Sequence, residues 1–260
     1  MSGMDLTTLR LEVADGIATV TLDRPPVNAQ NRVLREELLW LFDTLSDRED
    51  VRVIILTGAG NSFSAGADIK ERIGLVQEPG DYLRHNRLTR EFFHVVADCA
   101  KPVIVAVNGP AIGAGFALMS CCDILLMAEE AWVQMPELDV GLAGGAAFLL
   151  RHFSPSAART MFFTGRRVAA RDLYRRGIVE ACVPQAALMD TALELAREIG
   201  AKSPVAVAKA KHAFGTVEEM PFRDGYRFEQ GVTVELSRTA DAREAQRAFV
   251  EKRKPVFQGR

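Results

Sequence analysis

Glu137 is a lone carboxylate in a stretch that otherwise turns apolar, Val133-Gln134-Met135-Pro136-Glu137-Leu138, just before the Gly/Ala-rich run from Gly141 to Ala147. Two more small-residue turns lie upstream, Ser64-Ala65-Gly66-Ala67-Asp68 and Gly113-Ala114-Gly115. Turns built from Gly and Ala let backbone N–H groups approach a ligand closely, because no side chain stands in the way. A carboxylate beside such donors is the minimum equipment for proton transfer next to a carbonyl group. The acid or base moves the proton, and the donors hold the charge that gathers on oxygen.

Other constellations read more plainly. Gly113-Ala114-Gly115 follows an apolar run and opens a helix, as a dinucleotide-binding turn does, but Leu118 stands where the third glycine belongs. No acidic residue ends a following strand at the spacing of about 20 residues which that fingerprint needs. There is no GxxxxGK[ST] sequence, and Ser62 and Ser64 lack a GxSxG elbow. The histidines, His85, His94, His152 and His212, are scattered in helix-like contexts and read as surface or packed residues rather than metal ligands. Cys99, Cys121, Cys122 and Cys182 form no CxxC pair and read as reduced thiols. Glu129-Glu130 and Lys252-Arg253-Lys254 read as solvated charge, with a phosphate contact open to the basic run. Asp68 is placed to cap a helix over Ile69–Ile73, whose first N–H groups would then point outward.

The elements that must position these residues come in two styles. Short, continuously apolar runs at Ile17–Leu22, Val51–Thr57, Pro102–Val107 and Ile124–Met127 suggest strands covered on both faces. Between the first two, Leu34, Leu38, Leu41, Phe42 and Leu45 recur at helical spacing. From about residue 143 onward the pattern is almost wholly helical. The expected helices are 146–153, 156–163, 171–176, 188–199, 205–214 and 222–247, with Ser154-Pro155 and Ser203-Pro204 as starts and Gly165, Gly177, Gly200 and Gly215 as stops. The whole is one α/β core with a helical C-terminal extension. At 260 residues, 48% hydrophobic and 25% charged, the composition is that of a soluble globular protein. A net charge of −2 gives no electrostatic case for nucleic acid or an anionic membrane. No apolar run reaches the roughly 18 residues of a membrane span, and no leader pattern opens the chain. A cytoplasmic location is the expectation.

Four ordered blocks then converge on a family. Asp23-Arg24-Pro25-Pro26-Val27-Asn28-Ala29, Phe63 to Lys70, Val107 to Gly115 and Pro136-Glu137, with the closing Phe249 to Phe257, resemble the crotonase, or enoyl-CoA hydratase/isomerase, superfamily over essentially the whole chain. The resemblance implies a crotonase-like spiral of repeated ββα units over residues 1–200. It also implies a helical trimerisation region over 201–260, giving a homotrimer or a dimer of trimers. It implies an acyl-CoA thioester as substrate and no metal or redox cofactor. Carried over by motif, the N–H groups of Ala67 and Ala114 form an oxyanion hole and Glu137 is the acid/base. Ala65, Ala67, Asp68, Ile69 and Lys70 line the CoA path, with Arg24 and Val27 nearby.

One departure from the pattern bears on the reaction. Hydratases that the chain resembles carry a first glutamate in the helix after the GxG turn, where this sequence has Ala117. The segment from Pro136 to Ala143 is similar to the dienoyl-CoA isomerase branch, yet Ala117 and Gly145 stand where that branch has its other acids. Adding water across a double bond is easiest with two carboxylates, whereas moving a double bond from the 3- to the 2-position needs one base. The sequence therefore leans to an enoyl-CoA isomerase. The alternatives are a hydratase working with one glutamate and a non-catalytic acyl-CoA-binding member. Asp139 would share a face with Glu137 on an extended segment and diverge from it on a helix. Among Phe116, Trp132, Phe148, Leu149, Phe153, Phe162 and Phe163, core packing is the expectation, with an acyl pocket as the other use.

Overall fold

A computed structural model describes residues 4–75 and 77–259. The chain opens on a hairpin of β1 (Leu9–Ala14) and β2 (Ile17–Leu22), closed by Asp15-Gly16, both at positive φ as a tight two-residue hairpin turn requires. Helix α1 (Arg32–Asp47) follows, with the Asn31 side chain accepting from the Leu34 N–H, then β3 (Val53–Gly58), α2 (Ile69–Ile73) and α3 (Asp81–Ala97). Next come β4 (Val103–Val107), β5 (Ala111–Ile112), α4 (Ala114–Ser120), β6 (Ile124–Ala128) and β7 (Trp132–Gln134). A 3-10 turn over Glu137–Val140 leads into α5 (Ala146–His152) and α6 (Pro155–Thr164). The remainder is β8 (Val168–Ala169), α7 (Ala170–Arg175), β9 (Ala181–Val183), α8 (Leu188–Gly200), α9 (Pro204–Val217), α10 (Phe222–Ser237) and α11 (Ala240–Glu251).

Six strands form the main sheet in the order β1-β2-β3-β4-β6-β9, parallel except for the first pair. All five residues of β4 are buried, as are the first five of β3, so the apolar runs are strands covered on both faces. A second, shorter layer pairs β5 with β7 and β7 with β8. Two single bridges extend it, Ser64 to Ala111 and Gln30 to Ala67. The chain thus repeats one motif: a main-sheet strand, a short strand in the second layer, then a helix. β2, Gln30 and α1 make one turn; β3, Ser64–Ala67 and α2–α3 the next; β4, β5 and α4 the third; β6, β7 and α5 the fourth. This is the ββα spiral, and each passage from short strand to helix falls on one side of the molecule. Leu34, Leu38, Leu41, Phe42 and Leu45 of α1 are all buried, and α1 packs along α3.

Several sequence expectations change. Residues 222–247 are not one helix: the chain breaks at Arg238, and the Thr239 hydroxyl accepts from the Ala242 N–H to start α11. Side-chain capping of this kind interrupts a periodic pattern without altering its spacing. Gly215 lies inside α9 rather than at its end, with open space around it. The C-terminal half also contributes β8 and β9, strands too short to carry a periodicity. Strand β1 has no legible pattern, and the extent of α3 is not given by hydropathy, although His85 and His94 stand in helix-like contexts. Asp68 does cap α2, accepting from Lys70 and Glu71 N–H, and Cys99, Cys121 and Cys122 are buried free thiols. None of the described helices is long and apolar enough to cross a membrane.

Candidate active site

Two turns of the spiral meet at their glycines. Gly66 has φ +83°, and a Cβ there would strike the Ile112 carbonyl oxygen and press on the Ala114 nitrogen. Gly115 is held equally close to the Ser64 carbonyl. Only hydrogen fits at either position, so the 64–68 and 113–115 segments lie backbone against backbone. Ser64 fastens the first segment: its hydroxyl donates to the Asn28 carbonyl at 2.8 Å and accepts from Gly66 N–H at 3.2 Å. Gln30, fully buried, donates from Nε2 to the Ala114 carbonyl at 3.0 Å. The Ala67 N–H lies between the two pairing bonds of its bridge, Gln30 N–H to Gly66 and Asp68 N–H to Gln30. The Ala114 N–H opens α4, where the first-turn donors have no intrahelical partner.

Glu137 enters from the turn after β7. Its Oε1 sits so close to Gly113 (φ +53°) that a Cβ there would lie 2.6 Å away, while its Oε2 is buried with no hydrogen-bond partner. Burial pushes the carboxyl up to about 7, opposed only by a bond from its own backbone N–H. Asp139 does not join it. The 3-10 turn sends the two side chains apart, and Asp139 is exposed, with Oδ2 facing Gly165.

These groups open onto a cavity of about 570 Å³. Ala65, Ala67, Ile69, Ala114 and Glu137 line it, together with Ala117, Phe93 and Phe148. Among the described residues lining this cavity, Glu137 is the single carboxylate. Arg24, Val27, Asp68 and Lys70 do not line it. Arg24 pairs with Asp68 at 2.8 Å and donates to the Ala29 carbonyl at 2.9 Å, and Ala65 N–H donates to the Val27 carbonyl at 2.9 Å. Burial alone would raise Asp68, but backbone donors of α2 and the Arg24 guanidinium hold it below its usual value. Segments 24–28 and 65–68 therefore run side by side, with Val27, Ile69 and Lys70 exposed.

Of the aromatic set, Phe148 reaches the cavity, while Phe116, Leu149, Phe153 and Phe162 are core. Phe163 is exposed, and Trp132 lies under the Arg167 guanidinium at 3.9 Å. Arg253 of the basic run is engaged by Glu244 and Glu251. His85 and His94, read as surface or core residues, line the cavity, and so does Arg35. The signal was present in α3: Tyr82, His85, Asn86, Thr89, Arg90 and Phe93 recur at helical spacing, a mixed polar and aromatic face that plain hydropathy does not register.

Comparison with known proteins agrees with this geometry. Residues 12–260 match the family model for enoyl-CoA hydratase/isomerase. A (7aS)-7a-methyl-1,5-dioxo-2,3,5,6,7,7a-hexahydro-1H-indene-carboxyl-CoA hydrolase of Rhodococcus jostii is 37% identical over 93% of this chain and 93% of its own length. A carnitinyl-CoA dehydratase of Escherichia coli is 36% identical over 97% of this chain and 99% of its own. The crystal structure of an enoyl-CoA hydratase from Bacillus anthracis superposes with a TM-score of 0.92 at 32% identity, covering 98% of this chain and 100% of that one. The ββα spiral, the paired glycine turns and the match over nearly the full length lead to one conclusion: this chain belongs to the enoyl-CoA hydratase/isomerase family of the crotonase superfamily.

Proposed function

We propose that this protein is an enoyl-CoA isomerase that shifts a double bond of an acyl-CoA thioester, with Glu137 as the only acid/base and the Ala67 and Ala114 N–H groups holding the thioester oxygen. Glu137 takes a proton from C2 of a 3-enoyl-CoA, leaving an enolate whose charge gathers on the thioester oxygen. It then returns the proton to C4, and the double bond is left between C2 and C3. Each oxyanion donor contributes roughly 3–4 kcal/mol by analogy with measured losses at such sites. A carboxyl group raised to about 7 is present both as base and as acid near neutral pH, which is what a proton shuttle needs. The observation that carries this reading is the solitude of Glu137 on the cavity wall, with Ala117 where the resembled hydratases carry their first glutamate.

The CoA chain runs, on this reading, along Arg24, Val27, Ala65, Asp68, Ile69 and Lys70, and the active unit is a trimer or a dimer of trimers. The names of the relatives support a second reading, reversible dehydration of a 3-hydroxyacyl-CoA with one glutamate. A carnitinyl group itself is a poor match, because it carries a fixed positive charge. This cavity is lined by Arg35, Arg72 and Arg90 and by one carboxylate.

The test is incubation with 3-enoyl- and 2-enoyl-CoA in deuterated water, followed by mass spectrometry. The expected products are positional isomers carrying deuterium, and Glu137→Ala should lower turnover by about 10²–10⁴-fold while leaving CoA-ester binding intact. A 3-hydroxyacyl product would replace isomerisation with hydration. Unchanged turnover in Glu137→Ala would remove Glu137 from the chemistry.

A further inference from the structure

Arg35, on α1, is among the largest fully buried side chains of the molecule at 2% exposure, and it lines the cavity. A guanidinium offers five N–H donors. This one has a single polar contact, Nη1 to His85 Nε2 at 3.4 Å, and its Nε is buried with no partner. Among the described residues no carboxylate forms an ion pair with it. The acids whose charge reaches Arg35, Glu71 and Asp68, do not hydrogen-bond to it: Glu71 accepts from the Arg32 N–H with both oxygens at 3.0 Å, and Asp68 pairs with Arg24. His85 brings no charge of either sign. Burial, then Arg35 and Arg72, hold its imidazole down to about 4, so near neutral pH it is uncharged and can only accept from Arg35.

A buried guanidinium with no hydrogen-bonded carboxylate is unfavourable unless the occupant of the cavity brings one. The surroundings favour an anionic occupant. Arg72 and Arg90 line the same space, as do Asn86 and Thr89 of α3, whereas the one carboxylate, Glu137, arises from a different turn of the spiral. A carboxylate is the group that a planar guanidinium fork receives best, through two parallel hydrogen bonds.

Resting on the assignment of this cavity to the acyl group of a CoA thioester, we propose that Arg35, positioned by His85, binds a carboxylate carried by that acyl group. The enzyme then acts on mono-CoA thioesters of dicarboxylic acids in preference to plain hydrocarbon chains.

Binding by calorimetry tests this without depending on the reaction catalysed. Saturated mono-CoA esters of dicarboxylic acids with four to eight carbons are each compared with the monocarboxylic CoA ester of equal length, for example adipoyl-CoA with hexanoyl-CoA. The wild-type protein should bind the carboxylated ester at least tenfold more tightly at one or more lengths. Arg35→Met should reduce that preference to about one while leaving the hydrocarbon ester within twofold, and Arg35→Lys should restore part of it. His85→Phe should weaken the preference without changing hydrocarbon-ester binding. Absence of any preference in the wild-type protein overturns the proposal, and this arm stands even if Arg35→Met does not fold. Equal weakening of both esters in Arg35→Met also overturns it, because the guanidinium would then serve the phosphates of CoA, which every ester carries. Failure of the wild-type protein to bind any CoA ester would instead overturn the acyl-CoA reading on which the proposal rests.

Discussion

Glu137 illustrates how a fold tunes a carboxylate by what it withholds. Its Oε2 has no donor and its Oε1 faces the hydrogen of Gly113, so little compensates the loss of water around the charge. The consequence for stability has a definite sign. The folded carboxyl holds its proton to about 7, while an unperturbed one releases it near 4.5. Stability is therefore fully present below about 4.5 and is lost as pH rises through about 7. The neutral, isosteric Glu137→Gln should melt at a higher temperature than wild type at pH 8 and show little difference at pH 4.5, measured by calorimetry at the two pH values. Equal melting shifts at both would mean that the carboxylate is solvated in the folded state. Arg35 and His85 present the complementary case, a cation and a ring kept neutral in one wall, 50 residues apart in sequence.

At the scale of elements, the site is made by glycines that let consecutive spiral turns touch. Gly113 has a backbone conformation that L side chains rarely adopt, and its missing Cβ is the space occupied by Glu137 Oε1. Gly113→Ala should therefore do two things at once. The backbone strain should cost roughly 1–3 kcal/mol of stability. Displacing the carboxylate by an ångström or so should lower kcat on the order of 10²-fold. Melting temperature and steady-state kinetics read these separately. A variant that is destabilised yet fully active would show that Glu137 has freedom to adjust. The 3-10 turn that follows is as decisive, since it carries Asp139 away from the cavity and leaves Glu137 alone.

For the whole molecule, the spiral core and the last three helices are built differently. Helix α8 packs on β3 and β4, whereas α10 packs chiefly on α9 and α11. Lys211 ties α9 back to the core through Asp123 at 2.8 Å and the Lys101 carbonyl at 3.0 Å. Phe214, Phe222, Phe249 and Val250 are each at least three-quarters exposed, an arrangement that favours association of copies through this region. Light scattering should give a mass three or six times that of one chain, and Phe249→Asp with Val250→Asp should yield a smaller species. A wild-type monomer at micromolar concentration would overturn the proposed trimer.

The sequence by itself determined what depends on neighbours along the chain. The buried face of α1 follows from leucines at helical spacing, the cap of α2 from Asp68, and the core strands from unbroken apolar runs. The ordered motifs around Arg24, Gly66, Gly113 and Glu137 were sufficient to indicate the family, and Ala117 to indicate a reduced set of acids. The tertiary structure decided which groups face one another. Nothing in the spacing of residues 35, 85 and 137 places them around one cavity, and whether Asp139 sides with Glu137 depended on a single turn being 3-10 rather than extended. The break at Thr239 and the short strands β8 and β9 were hidden for the related reason that a hydroxyl cap and a pairing of two or three residues leave no periodic trace. Periodicity records the field of one element. The candidate site arises where successive turns of the spiral pack together, and packing between distant segments is written in their shapes rather than in their spacing.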